Sequence, residues 1–312
     1  MDRREFLKSG AKAVGAGLLL PGADLLGMDP LLASAEEISS APPDVVLAKG
    51  GAKVATQKAL AALGGMQRFV KPDQVVVVKP NAGFATPPEL GATTHPDVVT
   101  AVLDACFEAG ARRVFVVDHT LRPAEQCFKR TGLADAVARY PNAKLVSLDD
   151  EKTYRQVEVP KGKALRTVEI PALMQKVDVF INVPTAKAHS ATMVSLGLKN
   201  LMGLVWDRQP FHVDFDLHQG IADLATVLKP DLTILDAIRI LKTGGPDGPG
   251  DVEPLDCVVA GVDPVAVDAY GVGLSTWNQQ TLRPDQVNYV RYASQHGLGT
   301  LNLESLRIVE LS

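Results

Sequence analysis

Short runs of aliphatic and β-branched residues recur along this chain, separated by stretches whose apolar positions repeat at helical spacing. The runs predict strands near 44–48, 74–79, 113–118, 144–148, 177–183, 231–236, 256–261 and 306–310. Between them the pattern predicts helices near 53–63, 96–109, 123–139, 190–202, 215–228, 264–273 and 284–295. The second helix has Thr94 as a candidate cap and Pro96 in its first turn. In the helix 215–228, Leu217, Ile221, Leu224 and Leu228 form the buried stripe, flanked by His218 and Asp223. Strands alternating with helices specify an α/β fold, a mainly parallel, doubly wound sheet with helices on both faces. Residues 149–170 interrupt that alternation with a small β-hairpin excursion: RQVEV and RTVEI alternate on either side of the turn Lys161-Gly162-Lys163. One α/β domain spanning 36–312 is expected.

Polar groups gather where the apolar strands run out. QVVVVKPN ends in Lys79 and Asn81, RVFVVDH in Asp118 and His119, and DVFINVPTAKAH in Asn182, Lys187 and His189. DLTILD ends in Asp236 and CVVAGVDP in Asp263, the latter equally explained as a helix cap. Parallel strands deliver their exit loops to one edge, where open α/β sheets hold ligands. A lysine cannot cap a helix start, so Lys79 and Lys187 point to an anion. Ser190 is expected to cap a helix beginning next to Lys187 and His189, which would join ammonium groups to free backbone N–H groups. Lys199 and Asn200, near the far end of that helix, join the same pocket only if another strand exit comes round to meet them. The expected site has His189, Lys187 and Asp118 in catalytic roles and Lys79, Asn81, Asn182, Lys199, Asn200 and Asp236 as ligand-binding groups. In this reading His189 exchanges a proton, and Asp118 or Asp236 orients the histidine or a metal.

His189, His212 and His218 lie within 30 residues of one another among several aspartates, and imidazole with carboxylate suits a divalent metal. His218 and Asp223 are the candidate ligands, although neither HxH nor HExxH spacing occurs. Cys106, Cys127 and Cys257 are too far apart for a self-contained iron–sulfur cluster or zinc ribbon, and burial as small apolar side chains accounts for them; one disulfide stays open. The loop TGGPDGPG lacks the order of a phosphate-binding loop and is expected to edge the pocket. No GxSxG elbow is present, which disfavours serine acyl transfer.

The N-terminus changes the setting. Arg3 and Arg4 precede Glu5, Phe6, Leu7 and Lys8, an apolar stretch runs from Ala13 to Leu20, and Ala33-Ser34-Ala35 forms a small-x-small cleavage signal. The order predicts a twin-arginine signal peptide, expected to be cleaved after Ala35, with the translocation machinery as partner and a periplasmic or otherwise exported destination. Pro21 and Asp24 interrupt the apolar run, so no permanent membrane span is expected. The formal net charge of −4, with no basic run after the signal, argues against nucleic acid and for a small ligand.

Several segments resemble the bacterial and archaeal family known as domain of unknown function 362: VVVKPNAG at 76–83, TTHPDVV at 93–99, NVPTAKAHSATMVSLGLKNLMGLV at 182–205, LHQGIADL at 217–224 and GVDPVAVDA at 261–269. The resemblance implies an architecture and a set of positions, not a reaction. Some relatives carry a ferredoxin-like module, which implies redox settings for them; this chain lacks those cysteines. Two functions therefore stand side by side. One is an exported enzyme acting on a small carboxylate or phosphate, with a divalent metal as an option. The other is a non-catalytic accessory, maturation or solute-binding protein associated with a periplasmic redox system.

Overall fold

In a computed structural model, which describes residues 41–312, alternate residues of the second strand feed opposite faces of one large sheet. Val76 and Val78 pack in one core and Val77 in the other. The twin-arginine segment and the expected cleavage site lie outside the described residues. The strands are β1 (Val45–Lys49), β2 (Val75–Pro80), β3 (Arg113–Asp118), β4 (Ala143–Ser147), β5 (Tyr154–Glu158), β6 (Thr167–Pro171), β7 (Val179–Val183), β8 (Thr185–His189), β9 (Met193–Ser195), β10 (Leu232–Leu241), β11 (Val252–Gly261) and β12 (Ile308–Leu311). The helices are α1 (Ala52–Ala62), α2 (Pro96–Glu108), α3 (Ala124–Arg130), α4 (Leu133–Ala138), α5 (Gly197–Asn200), α6 (Pro210–Val213), α7 (Leu217–Ala225), α8 (Pro264–Val272) and α9 (Asn288–Gln295).

The main sheet has the order β12-β1-β11-β10-β7-β2-β3-β4. Along it the pairs are parallel except where β11 meets its two neighbours. Mainly parallel strands need both faces covered, and both are: α1 and α2 lie over one, α7, α8 and α9 over the other. The β5–β6 hairpin pairs antiparallel, with Arg155 opposite Ile170, and adds Tyr154, Val168 and Ile170 to the second core. Among the described residues no helix is long and apolar enough to cross a membrane.

The chain runs from β2 outward through β3 to β4, then returns to place β7 on the other side of β2. The order thus reverses at β2, and loops from adjacent strands diverge there to open a crevice at the strands' carboxyl ends. β8 continues beyond Pro184, pairing in parallel with the second half of β10 and folding back as a hairpin with β9.

Three local expectations are corrected. The helix expected over 190–202 is instead the turn and return strand β9 of the β8–β9 hairpin, followed by α5, because the end of β10 extends past β7 and offers a pairing edge to β8, on which β9 folds back. Ser190 is an exposed turn residue and caps no helix. The helix expected over 123–139 divides into α3 and α4 at Gly132, whose φ of +76° is left-handed and stops helical propagation. The cap of α2 is His95, whose Nδ1 accepts from Asp97 N–H at 3.1 Å. Thr94 ties β2's exit loop to β7, accepting from Asn81 N–H at 2.8 Å and donating to Val183 C=O at 2.7 Å. Cys106, Cys127 and Cys257 are all buried and unpaired.

Candidate functional site

β2 and β7 place Lys79 opposite Asn182, while β3 delivers Asp118 to the same edge of the sheet. Lys79 Nζ lies 2.8 Å from Asp118 Oδ1, and both side chains are almost wholly buried. The same ammonium donates to Pro80 C=O at 2.8 Å and Asn200 Oδ1 at 3.2 Å. Asp118 in turn accepts from His119 N–H at 3.0 Å and Ala82 N–H at 2.6 Å. The pair therefore clips together the exit loops of β2 and β3. A buried pair tolerates desolvation only when its remaining donors and acceptors are met in this way. Burial still pushes the Lys79 ammonium below its ordinary pKa, against the attraction of Asp118.

From this clip a polar chain runs to the second lysine. Asn200 Oδ1 accepts from Asn81 Nδ2 at 3.2 Å, and Asn81 Oδ1 accepts from Lys187 Nζ at 3.3 Å. Lys187 also donates to Ala92 C=O, and its Nζ sits 4.8 Å from the centroid of the Phe84 ring. Asn182 stands behind the chain, accepting from Asn200 Nδ2 and donating to Gly197 C=O, both at 2.9 Å. Asp268 of α8 holds the start of α5, taking Gly197 N–H at 2.7 Å and Leu198 N–H at 2.9 Å. That contact sets where Lys199 and Asn200 project.

Lys79, Asn81, Asp118, Lys187, His189, Lys199 and Asn200 all line one cavity of about 580 Å³. Its wall also carries Phe84, Leu121, Met202, Arg208 and His212, and Asp247 of the TGGPDGPG loop edges it. That loop packs tightly: a Cβ on Gly245 would fall 1.8 Å from Ala188 O, so only glycine lets it close over β8. Arg208 and Phe84 are among the lining residues that strand-end reasoning misses. Arg208 lies in an irregular stretch after the LKNLMGLV segment, where no periodicity singles it out.

The electrostatics are one-sided. Among the described residues, Lys187, Lys199 and Arg208 have no carboxylate within ion-pair distance. Burial, then the charge of Lys199, lowers Lys187 to about 7. Burial, then Arg208, lowers Lys199 to about 8. Burial and the neighbouring lysines push His189 down to about 3, so its ring is neutral. His189 Nδ1 accepts from Ala191 N–H at 3.1 Å, which leaves the ring proton on Nε2. With Nδ1 engaged and the proton on Nε2, the imidazole presents a hydrogen-bond donor.

Other expected residues lie elsewhere. Asp236 is buried under the β2 exit region and spends its oxygens on His95 N–H at 2.6 Å and Ile238 N–H at 2.9 Å. Neither it nor Asp118 is hydrogen-bonded to His189, so neither orients that ring. Asp223 and His218 do not form a metal pair. Asp223 Oδ2 accepts from the backbone N–H groups of Lys163, Ala164 and Leu165 at 2.7–2.9 Å, and its Oδ1 meets Gln219 and His296 at 2.8 and 2.7 Å. This carboxylate anchors the β5–β6 turn to α7 and α9. His218 is stacked on Tyr289, with ring centroids 6.2 Å apart. Among the described residues no three His, Cys, Asp or Glu side chains assemble into a metal-holding group.

A family model described as a domain of unknown function (DUF362) matches residues 76–273, a span that runs from the second residue of β2 through α8 and contains the whole cavity wall from Lys79 to Asp247. A thylakoid-associated protein of Synechocystis sp. is 28% identical over 216 residues, covering 67% of this chain. The chain spans 65% of that relative's length. Among solved structures, the lactate racemase apoprotein from Thermoanaerobacterium thermosaccharolyticum superimposes with a TM-score of 0.49 at 12% identity, over 75% of this chain and 58% of the other.

Proposed function

This chain belongs to the DUF362 family, and from that premise we propose that it is an exported enzyme acting on a small anion, a carboxylate or phosphate, held at the carboxyl ends of β2, β3, β7 and β8. The observation that carries the reading is the charge of the cavity: among the described residues no carboxylate lies within ion-pair distance of Lys187, Lys199 or Arg208, and Asp247 stands only at the edge. Cations gathered in a low-dielectric cleft repel one another, and an entering anion removes that penalty. Lys199 and Arg208 hold the anion, His189 Nε2–H donates a hydrogen bond, and Lys187 accepts or returns a proton. An amine lowered to about 7 is suited to that task near neutrality. Export rests on Arg3, Arg4 and the cleavage signal at Ala35.

The competing reading, a solute-binding or accessory protein of a redox system, draws on one observation. Asp118, the carboxylate expected in a catalytic role, is consumed by Lys79 and two backbone N–H groups. Calorimetric titration with inorganic phosphate and small carboxylates tests the shared core of both readings. Binding should weaken about tenfold or more in Lys199→Gln and in Arg208→Gln. Unchanged affinity in both variants rejects the cavity as the anion site. Screening those ligands for turnover then separates the enzyme from the binding protein.

A further inference from the structure

We infer that Lys187 forms a covalent imine with the carbonyl carbon of a small oxo acid whose carboxylate is held by Lys199 and Arg208. The inference rests on the anion site proposed above and names its substrate class. Lys187 is a fully buried amine of the cavity with no acid partner: Lys79 is neutralised by Asp118 and Lys199 donates to Met202 Sδ, whereas Lys187 touches only two oxygen acceptors, Ala92 C=O and Asn81 Oδ1. Those contacts engage two hydrogens of the amine. In the neutral form they leave its lone pair free for attack. Asn81 cannot swing away, because its amide nitrogen is held by Asn200 Oδ1. Burial and a neighbouring cation are the two conditions that turn a lysine into a nucleophile, and both are met, with the amine lowered to about 7.

The surroundings fit a carbonyl acid better than a plain carboxylate. The Phe84 ring lies 4.8 Å from the amine, a flat apolar surface against which a planar imine can lie. Leu121 and Met202 continue that apolar wall, and a cavity of about 580 Å³ has room for an oxo acid bearing an apolar substituent. Lys199 and Arg208 supply the charge that recognises the carboxylate. The step balances within the site. Nζ adds to the carbonyl carbon, a proton passes from nitrogen to oxygen, and the carbinolamine loses one water as the C=N bond forms. Hydrolysis reverses it, so neither oxidant nor reductant is required. His189 Nε2–H is the donor available to the departing oxygen.

The test uses the full chain as exported. It is incubated separately with pyruvate, phenylpyruvate and acetoacetate, reduced with borohydride and mapped by peptide mass spectrometry. The expected result is a mass gain of one oxo acid less one oxygen, on Lys187, at a yield about tenfold above that on the exposed Lys53. Inorganic phosphate should compete, and Lys199→Gln should lower the yield. Labelling of Lys187 no greater than of Lys53 with all three acids overturns the inference. If phosphate still binds in that case, the anion site survives and only the imine fails; if phosphate does not bind either, both fail. The mapping is done on the unsubstituted protein, so it does not depend on any variant folding.

Discussion

Lys79 and Asp118 form a 2.8 Å buried ion pair against which Gly203 presses so closely that a Cβ there would lie 2.3 Å from Asp118 Oδ1 and 2.6 Å from Lys79 Nζ. Gly203 C=O also accepts from His119 N–H at 3.1 Å, so the LKNLMGLV segment is seated on the pair. The clip is thus the floor of the cavity and fixes the β2 and β3 exits relative to the turn after α5.

Removing one partner of this pair should be severe. Asp118→Asn is expected to lower the unfolding free energy by about 3–5 kcal/mol, because it leaves a buried ammonium without a counter-charge. Urea denaturation measures it. A midpoint that stays in place would show that the pair is not structural.

Gly203→Ala adds one methyl where buried charged atoms already touch. It should destabilise by about 1–3 kcal/mol and weaken anion binding, since the pair must move to admit it. Thermal melting together with phosphate titration reads both effects. An alanine variant with wild-type melting and affinity would show that the contact is slack.

The pH dependence of stability has a definite sign. Lys187 and Lys199 fall from an ordinary 10.5 to about 7 and about 8 in the folded chain, so the unfolded chain binds more protons in between. Their contribution is fully present above 10.5 and is lost as pH falls through about 8 and then about 7. Lys187→Gln should flatten the rise of stability above neutrality, seen as a smaller difference between urea midpoints at about pH 7 and about pH 10. Anion affinity should run the other way, tighter when both lysines are protonated, with net proton uptake on binding. Calorimetry in buffers of different ionisation enthalpy detects that uptake, and proton release on binding would contradict the assignment.

Asp268 acts on the site from a distance. Burial raises it to about 7, so any stability it adds is present below the ordinary 3.8 and fades as pH rises through about 7. Asp268→Ala leaves the N–H groups of Gly197 and Leu198 without acceptors, at about 1–3 kcal/mol per group. Because Lys199 and Asn200 ride on that turn, anion affinity should fall with stability even though Asp268 lies outside the cavity. A variant that loses stability but keeps full affinity would separate the cap from the site.

Export is tested on Arg3 and Arg4. Converting both to lysine should leave the full chain, uncleaved, in the cytoplasmic fraction, whereas the unsubstituted chain appears shortened in the periplasmic fraction. Equal distribution of the two would remove the twin-arginine reading.

Strands such as 113–118 coincide with β3 residue for residue, because an unbroken run of apolar side chains is a local property that burial on two faces simply accepts. The same locality makes 190–202 misleading. Its apolar spacing is helical, but the edge offered by the extended β10 lies far away in sequence and captures the preceding β8, on which β9 folds back as a strand. Asp223 illustrates a second limit: a carboxylate beside histidines suggests a metal, and only the folded chain shows three backbone N–H groups from residues 163–165 already occupying it.

By itself, the order of residues determined the α/β class, the hairpin excursion and the edge of the sheet to which Lys79, Asp118, Lys187 and His189 belong. Those follow from periodicity and from where apolar runs stop. The fold alone decided which of these groups are left without a counter-charge. Asp118 is spent on Lys79 and Asp236 on backbone amides, while Lys187, Lys199 and the unforeseen Arg208 are left facing one another across a cavity. The reason is physical: a charge's availability depends on what lies within about 4 Å of it. Those neighbours come from strand register and chain reversal, which no local pattern encodes.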